Sequence, residues 1–205
     1  MRGQLVLIEG LDRTGKSTQV SILASRLKDA KIFKFPDRTT PIGSIINEYL
    51  TNEHYDLSDE ALHLLFLANR WELASEIISL LNSEEWVVMD RYVYSGLAYL
   101  LSKDNLNDID WLLGPDRGLP RPDAIIYLSV PPEELATRKD YGDERYEKVH
   151  FQSKVKRNFE RVLPSDITFQ LDVTGLSISE VSDLIWNHIR EKGIDQLTNN
   201  NITLI

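Results

Sequence analysis

The sequence contains no cysteine, and this absence excludes both a disulfide framework and thiol chemistry. It contains no apolar run that approaches the ~20 residues a helix needs to cross a bilayer, so a membrane is not an expected partner. Basic residues are scarce, and the formal net charge is −9. A polyanion such as DNA needs a broad basic face, so no nucleic-acid polymer is expected as a partner either. A mononucleotide stays compatible with this charge, because it needs only a few basic groups in one pocket.

Length and composition predict a single domain over residues 1–205. The chain has 205 residues, of which 42% are hydrophobic, and this suffices for one buried core. The first predicted strand begins at residue 4, so we expect no signal or transit peptide. We therefore expect a cytoplasmic protein, and the sequence leaves open whether it also enters the nucleus.

Residues 10–17, Gly-Leu-Asp-Arg-Thr-Gly-Lys-Ser, match the phosphate-binding pattern G-x-x-x-x-G-K-[ST]. The apolar run 5–8 precedes them as a predicted buried strand, and helical spacing follows over 16–28. In this setting backbone N–H groups and the helix N-terminus form an anion cradle. Lys16 can reach the β- and γ-phosphates, and the Ser17 hydroxyl can bind Mg²⁺. The pattern predicts a nucleoside triphosphate site.

Strands and helices are predicted to alternate along the chain. The predicted strands cover 4–9, 31–35, 86–90, 124–129 and 167–172. The predicted helices cover 16–28, 41–50, 58–81, 94–103, 132–138, 145–163 and 178–191. We therefore expect an α/β fold of the P-loop NTPase type, a five-stranded parallel sheet with helices on both faces. Ligands of such sheets bind at the carboxyl ends of the strands.

Charged side chains follow two of these strands. Asp90 and Arg91 come directly after an apolar strand, where P-loop proteins place a carboxylate that helps to hold Mg²⁺. Arg38 follows Pro36, which ends the second strand and stiffens the turn. Read without further context, Asp90 could instead cap a turn and Arg38 could be a solvated loop cation.

Two further segments also have a functional and a structural interpretation. Phe66 and Arg70 lie four residues apart on one helix face and could stack on and hydrogen-bond a flat heterocycle, or be a core residue and a surface cation. The charged, glycine-containing segment 136–147 is either a solvated loop or a lid that closes over the phosphates.

Taken together, the motifs resemble one enzyme family. GLDRTGKST, FPDR, HLLFLANRWE, DRYVYSG, GLPRPD and GDERYE, in this order and spacing, resemble thymidylate kinases of the eukaryotic and poxviral type. The resemblance covers residues 4–152, and the last fifty or so residues match only in general character. It implies transfer of the ATP γ-phosphoryl group to dTMP, giving ADP and dTDP in dTTP synthesis, with Mg²⁺ held by Ser17 and Asp90.

The resemblance also implies which residues bind each nucleotide. For ATP it implies Gly10, Leu11, Asp12, Arg13, Thr14, Gly15, Lys16, Ser17, Thr18 and Arg138. For dTMP it implies Asp12, Phe35, Arg38, Phe66, Arg70, Arg91, Ser95, Gly96, Tyr99, Arg145, Tyr146 and Gln152. The implied catalytic residues are Arg13, Lys16, Asp12 and Arg91.

Individual roles come from the same resemblance. It assigns Arg13 to the transferring phosphoryl group and Asp12 to the neighbourhood of the deoxyribose 3′-hydroxyl. It assigns Arg38 and Arg91 to the dTMP phosphate. In the base pocket it implies that Phe66 stacks on thymine, that Arg70 bonds its O4, and that Tyr99 lies against C2′ and disfavours ribose. It further implies a homodimer formed through the helix around residues 63–71.

One position departs from the family pattern. Relatives commonly carry a small or hydroxyl-bearing residue after the tyrosine that matches Tyr99, and here it is Leu100. If this side chain faces the pocket, a polar contact to the base is missing, whereas it could also point into the core. The tail 193–205 carries no motif to which we assign a role.

Three other functions share the phosphate loop: a deoxynucleoside kinase, a GTPase switch and a regulatory nucleotide binder without catalytic activity. The last of these is disfavoured, because every expected site residue is present. A deoxynucleoside kinase acting on thymidine would need a carboxylate base for its neutral hydroxyl, and two arginines for an acceptor phosphate would be superfluous. A GTPase switch would be a binding module whose output is a conformational change, and residues 172–175 mimic its D-x-x-G element. No N-K-x-D guanine motif accompanies them anywhere in the sequence.

Overall fold

A five-stranded, all-parallel sheet forms the centre of the protein, as predicted. The computed structural model describes residues 1–103, 108–135, 146 and 148–205. The strands are β1 (Leu5–Gly10), β2 (Lys31–Lys34), β3 (Val87–Asp90), β4 (Ala124–Ser129) and β5 (Thr168–Asp172). Their spatial order is β2-β3-β1-β4-β5.

The three inner strands are buried along their whole length, because helices cover both faces of the sheet. The edge strands β2 and β5 keep exposed positions. In the register, Ile8 of β1 lies beside Asp90 of β3, and Gly10 lies beside Leu128 of β4. The carboxyl ends of the inner strands therefore meet at the edge of the sheet from which the phosphate loop starts.

Eight α-helices lie within the described part of the chain. They are α1 (Lys16–Arg26), α2 (Pro41–Thr51), α3 (Asp59–Asn82), α4 (Val93–Leu100), α5 (Ile109–Leu113), α6 (Pro132–Leu135), α7 (Val149–Val162) and α8 (Ile178–Glu191). α1 packs against α8, and α4 packs against α7. None of these helices is both long and apolar enough to cross a membrane.

Side-chain caps explain where several helices begin. Thr40 accepts a hydrogen bond from the Gly43 N–H at the start of α2, whose first residue is a proline. Ser58 caps α3 through the Ala61 N–H, and Ser177 forms a reciprocal capping box with Glu180 at α8. These short polar residues mark helix starts that the sequence pattern placed to within one residue.

The structure corrects some predicted boundaries. The helix predicted from residue 145 begins only at Val149, because Lys148 is extended. The helix predicted over 94–103 begins at Val93 and ends at Leu100. α5 and a 3₁₀ turn at Gly114–Asp116 were not predicted at all. Five residues are too few to show a helical period, so α5 leaves almost no signal in the sequence.

The tail 193–205 packs across the amino ends of the strands. Arg2 donates to the Asn200 carbonyl at 2.8 Å and forms an ion pair with Asp123, which precedes β4. The indole N–H of Trp86, at the start of β3, donates to the Ile194 carbonyl at 2.7 Å. The tail therefore contacts the edge of the sheet opposite the phosphate loop.

Candidate active site

Two glycines give the phosphate loop its shape. Gly10 has φ +152°, and a Cβ at this position would lie 2.7 Å from the Leu128 carbonyl oxygen. Gly15 has φ +91° and stands immediately before α1. A residue with a side chain would be strained at either position, so the loop requires glycine at both. The backbone thereby turns around the start of α1, where free N–H groups are available to an anion.

Lys16 is buried beneath this loop. Its Nζ donates to the Leu11 carbonyl at 2.5 Å, and Thr14 Oγ1 donates to the same oxygen at 3.0 Å. Burial, followed by the charge of Arg91, lowers the pKa of the Lys16 ammonium to about 8. A phosphate bound in the loop would supply a counter-charge that raises this pKa again.

Ser17 and Asp90 form an oxygen pair next to the loop. Ser17 Oγ donates to Asp90 Oδ2 at 2.6 Å, while Asp90 Oδ1 is buried and has no hydrogen-bond partner among the described residues. A hard cation takes hydroxyl and carboxylate oxygens as ligands, and the unsatisfied Asp90 oxygen fits that use. In the part of the chain that the structure describes, no cluster of three or more acidic or histidine side chains could hold a metal.

A second group of polar side chains meets at Asp12, in the middle of the loop. Arg91 forms an ion pair with Asp12 through Nη2, and its Nη1 donates to the Gly10 carbonyl and to Ser95 Oγ. The other carboxylate oxygen of Asp12 accepts from the Tyr99 hydroxyl at 2.6 Å and from Gln152 Nε2 at 2.9 Å. The loop, α4 and α7 are thus joined at one carboxylate.

The charges in this network are well defined. Burial alone would raise the pKa of Asp12, but the Arg91 guanidinium, Lys16 and the two hydrogen bonds hold it below its usual value. Burial raises the pKa of Tyr99. The Arg91 charge opposes this rise, and the Asp12 charge adds to it. Asp12 is therefore ionised, and Tyr99 stays protonated as a donor.

Glu9 is a buried carboxyl group that our sequence analysis missed. Its Oε1 accepts from the backbone N–H groups of Tyr92 and Ser95, at 3.0 and 3.1 Å, and its Oε2 accepts from Ser95 Oγ at 2.5 Å. Burial raises its pKa above the ordinary value. Glu9 thus holds the start of α4, and with it Ser95, against which Arg91 rests. An acidic residue at the end of the apolar run 5–8 was the signal that could have identified it.

The phosphate loop opens into one of two adjoining pockets. The loop pocket is lined by Arg13, Gly15, Lys16, Ser17, Thr18, Lys34 and Asp90, and the second pocket by Leu50, Leu62, Phe66, Arg70, Tyr92, Ser95, Gly96, Tyr99, Leu100, Lys103 and Tyr146. Both pockets share Asp12, Phe35, Pro36, Arg38 and Arg91. Two ligands could therefore meet end to end, with arginines at the junction. We call the second pocket the acceptor pocket, because it contains most of the residues that the resemblance assigns to dTMP.

The loop that carries Arg38 is held by α3 and α2. Asn69 of α3 accepts from the Asp37 N–H at 2.8 Å and donates to the Asp37 carbonyl at 3.1 Å. A Cβ at Gly43 of α2 would lie only 1.7 Å from the same carbonyl oxygen, so α2 approaches as closely as glycine permits. Arg38 Nη1 donates to Asn47 of α2 at 3.2 Å. These contacts place the guanidinium at the junction of the two pockets.

Phe66 and Arg70 both line the acceptor pocket, as their shared helix face predicted. Arg70 is not a surface cation, because its guanidinium is paired with Asp116 from the 3₁₀ turn. Nε donates to Oδ1 at 2.8 Å and Nη2 donates to Oδ2 at 2.7 Å, and both side chains are almost completely buried. Our sequence analysis missed Asp116, since 46 positions separate it from Arg70.

Lys103 lies at the far end of the acceptor pocket. It forms an ion pair with Asp59 at the start of α3 and donates to the Tyr49 hydroxyl at 3.2 Å. Its ammonium lies 5.3 Å from the ring centre of Tyr146, whose hydroxyl donates to that of Tyr49 at 3.1 Å. The Tyr146 carbonyl in turn accepts from Gln152 Nε2. These contacts join α2, α3, the end of α4 and the residues before α7.

Comparison with known proteins agrees with this geometry. The family model described as thymidylate kinase matches residues 8–185. The thymidylate kinase of Schizosaccharomyces pombe is 50% identical over 78% of this chain and 77% of its own length. That of Dictyostelium discoideum is 47% identical over 90% of this chain and 83% of its own. The solved thymidylate kinase of Candida albicans superposes with a TM-score of 0.93 at 48% identity, covering 100% of this chain and 98% of that one.

The chain belongs to the thymidylate kinase family. It is a kinase that phosphorylates dTMP with ATP as the phosphoryl donor, which confirms the predicted function. The P-loop NTPase fold is confirmed as well. The thymidine kinase and switch alternatives are not favoured by these relatives.

In this chain, the predicted site residues fall into four groups. Asp12, Phe35, Arg38 and Arg91 line both pockets, and Arg13, Gly15, Lys16, Ser17, Thr18 and Asp90 line the loop pocket. Phe66, Arg70, Ser95, Gly96, Tyr99 and Tyr146 line the acceptor pocket. Gln152 contacts that pocket through Asp12. Arg138, Arg145 and most of the predicted lid 136–147 lie outside the described residues. Leu100 is buried and packs in the core, and it also lines the pocket, where it presents an apolar surface.

Proposed function

We propose that phosphoryl transfer occurs at the junction of the two pockets, with ATP in the phosphate loop and dTMP in the acceptor pocket. The observation that carries this proposal is the set of residues common to both pockets, which includes Arg38 and Arg91. Two nucleotides entering from opposite sides would bring their phosphates together there. The acceptor oxygen would then lie in line with the γ-phosphoryl group.

On the donor side, Lys16 and the loop N–H groups would bind the β- and γ-phosphates of ATP. Ser17 and Asp90 would hold Mg²⁺, because the unsatisfied Asp90 oxygen supplies a ligand that no described protein group uses. When bound, the metal would neutralise negative charge on the phosphates.

On the acceptor side, Arg38 and Arg91 would bind the dTMP phosphate. This reaction needs no general base, because the second pKa of a phosphomonoester is about 6 and the attacking oxygen is already ionised at neutral pH. The chain must instead overcome repulsion between two anions. Arginines at the junction do so by positioning the phosphates and by stabilising charge on the equatorial oxygens.

Arg13 would act on the transferring group itself. It lies within the phosphate loop with φ +65° and lines the loop pocket. A left-handed conformation is uncommon for a residue with a long side chain, and such conformations concentrate at functional sites. We assign Arg13 the role of an arginine finger supplied by the same chain.

The nucleoside of dTMP would lie between Phe66 and α4. Phe66 would stack on thymine, Arg70 would donate to its O4, and Tyr99 would lie against C2′ of the sugar. Asp12 would lie near the 3′-hydroxyl, where Tyr99 and Gln152 already fix its orientation. Leu100 offers the base no hydrogen bond, so discrimination would depend on Arg70. The Candida albicans relative was described as having a broad substrate specificity, which makes the base preference of this chain worth measuring.

We propose that the chain forms a homodimer through α3 and α5. Leu64 and Trp71 of α3, and Ile109 and Trp111 of α5, are large apolar side chains that are more than one third exposed. A second copy of the chain would cover them. Light scattering at micromolar concentration is expected to give twice the monomer mass, and a monomer alone would contradict this assembly.

Acceptor preference tests the reaction. The protein is incubated with ATP, Mg²⁺ and, separately, thymidine, dTMP, dUMP or GMP, and ADP release is measured. We expect ADP release with dTMP at the highest rate. ADP release with thymidine alone would indicate a deoxynucleoside kinase. The absence of ADP release with all four acceptors would indicate a nucleotide-binding switch or a non-catalytic nucleotide binder.

A further inference from the structure

Asp116 sits where it controls the orientation of Arg70. It lies in the 3₁₀ turn that follows α5, and its side chain is 1% exposed. The guanidinium of Arg70 and the carboxylate of Asp116 form two parallel hydrogen bonds, a geometry that fixes both planes. Arg70 therefore cannot rotate without breaking the pair.

This pairing leaves one guanidinium nitrogen for the pocket. Asp116 occupies Nε and Nη2 of Arg70, and a Cβ added at Gly96 would lie 3.2 Å from Nη1. Gly96 and Arg70 both line the acceptor pocket. Nη1 therefore lies beside α4, on the side of the guanidinium opposite the Nε hydrogen bond to Asp116, and Arg70 lines the pocket with little of its surface exposed.

The pairing also removes the net charge from this wall. Two other titratable groups interact with the pair, Tyr92 and His63. Burial raises the pKa of Tyr92, which stays protonated and neutral, and the pKa of His63 is lowered by burial and then by Arg70. A neutral histidine beside a paired cation and anion leaves no excess charge at neutral pH. Such a donor prefers a neutral carbonyl oxygen, whereas an unpaired buried cation would favour an anion.

We propose that Asp116 is a positioning residue that determines base specificity through Arg70. It presents Nη1 as a charge-compensated donor, which selects a base that places a carbonyl oxygen there and disfavours one that places an amino group there. This inference rests on the proposed position of the base against Arg70. The new element is Asp116, the residue that we infer enforces the base preference. Asp116 lies outside the motifs that surround the phosphates.

A matched pair of acceptors tests the proposal. 5-methyl-dCMP differs from dTMP by an amino group in place of the 4-carbonyl and by the accompanying ring proton. The ratio of kcat/KM for dTMP to that for 5-methyl-dCMP is measured in the wild-type chain and in Asp116→Asn. We expect the ratio to fall about tenfold or more, with a rise in KM for dTMP that exceeds the fall in kcat, and with KM for ATP unchanged.

Two comparisons separate this role from a structural one. Asp110→Asn makes the same change on a 92% exposed side chain of α5, and the ratio should stay at the wild-type value. In an Arg70→Met background, Asp116→Asn should have no further effect on the ratio, because the residue through which it acts is gone. A further loss in that background would overturn the proposal. So would an unchanged ratio in Asp116→Asn accompanied only by a lower melting temperature.

Asp116→Glu keeps the inference testable if Asp116→Asn does not fold. It retains the buried charge but moves the carboxylate by one methylene, so the ratio should fall below that of the wild type, and an unchanged ratio overturns the inference. The wild-type chain tests the proposed position of the base against Arg70. A wild type that does not prefer dTMP would contradict the position of the base at Arg70, whereas a preference that persists in Asp116→Asn would contradict only the role of Asp116.

Discussion

We propose that the phosphate loop and the acceptor pocket bind the two substrates of one reaction, and they are built in different ways. The loop consists of residues 10–18, which are contiguous in the chain, and much of its binding surface is backbone. The acceptor pocket collects side chains from the ends of β1 and β2, from α3 and α4, and from Tyr146 before α7. The loop depends on conformations that glycine permits. The pocket depends on ion pairs and hydrogen bonds between distant segments.

The largest effect is expected on the donor side, at Arg13. Arg13→Ala should lower kcat about 10³-fold while changing ATP affinity little, because an arginine of this kind acts mainly on the transition state. Steady-state rates measured beside nucleotide-binding titrations check this. Arg26→Ala, which removes an arginine at the end of α1, serves as the control. A variant with near-normal kcat and only a raised KM would remove Arg13 from the chemical step.

On the acceptor side, breaking the network at Asp12 should cost less. Asp12→Asn removes the anion that pairs with Arg91 and accepts from Tyr99 and Gln152. We expect kcat/KM for dTMP to fall about 100-fold, with a much smaller change in ATP affinity. Asp166→Asn, on an exposed ion pair with Arg121, is the matched control. An equal loss of affinity for dTMP and for ATP would show that Asp12 does not act mainly on the acceptor pocket.

The pH dependence of binding should also differ between the two sites. The pKa of Lys16 is about 8 in the free protein, so the ammonium that meets the ATP phosphates is lost as the pH rises through that value. Affinity for a non-hydrolysable ATP analogue should fall about tenfold from pH 7 to pH 9. Affinity for dTMP should stay nearly constant, because Asp12 has a lowered pKa and Tyr99 a raised one. Calorimetric titrations at several pH values measure both affinities. Lys16→Arg should abolish the pH dependence of the affinity for the ATP analogue, because arginine stays charged at pH 9.

The smallest effect is expected at the far wall of the acceptor pocket. Lys103→Met removes the ammonium that joins Asp59, Tyr49 and Tyr146. The wall should loosen, and KM for dTMP should rise about fivefold with little change in kcat. Lys103→Arg should recover part of the loss, since it keeps the charge. A fall in kcat without any rise in KM would contradict this role.

The contrast between a contiguous loop and a pocket built from distant segments also explains which features could be predicted from the sequence. The phosphate loop, the five strands and the helix face shared by Phe66 and Arg70 were all predicted, because each depends on neighbours within a few residues. Asp90 was placed at a strand end, and the parallel register brings that end beside Ile8 and the loop. Such local patterns survive in a single sequence.

The misses have a common physical cause. Each missed residue has its hydrogen-bond partner far away in the sequence: 86 residues for Glu9, 46 for Asp116 and 44 for Lys103. No local spacing pattern in the sequence indicates such pairs. The segment of α5 and the 3₁₀ turn is too short to show a period, although it supplies the anion for Arg70. The tail had no motif, yet its backbone pairs with the segment that precedes β4 through the Leu119 carbonyl and the Ile205 N–H.

By itself, the sequence determined the alternation of strands and helices, the glycines of the phosphate loop and the cations available for two phosphates. Those features follow from backbone sterics, hydrophobic periodicity and side-chain chemistry, which act over a few residues. Only the tertiary structure decided which carboxylate pairs with each arginine. Asp12 pairs with Arg91, and Asp116 pairs with Arg70. A buried charge must find its partner in space, and the fold alone determines which groups are near enough to serve.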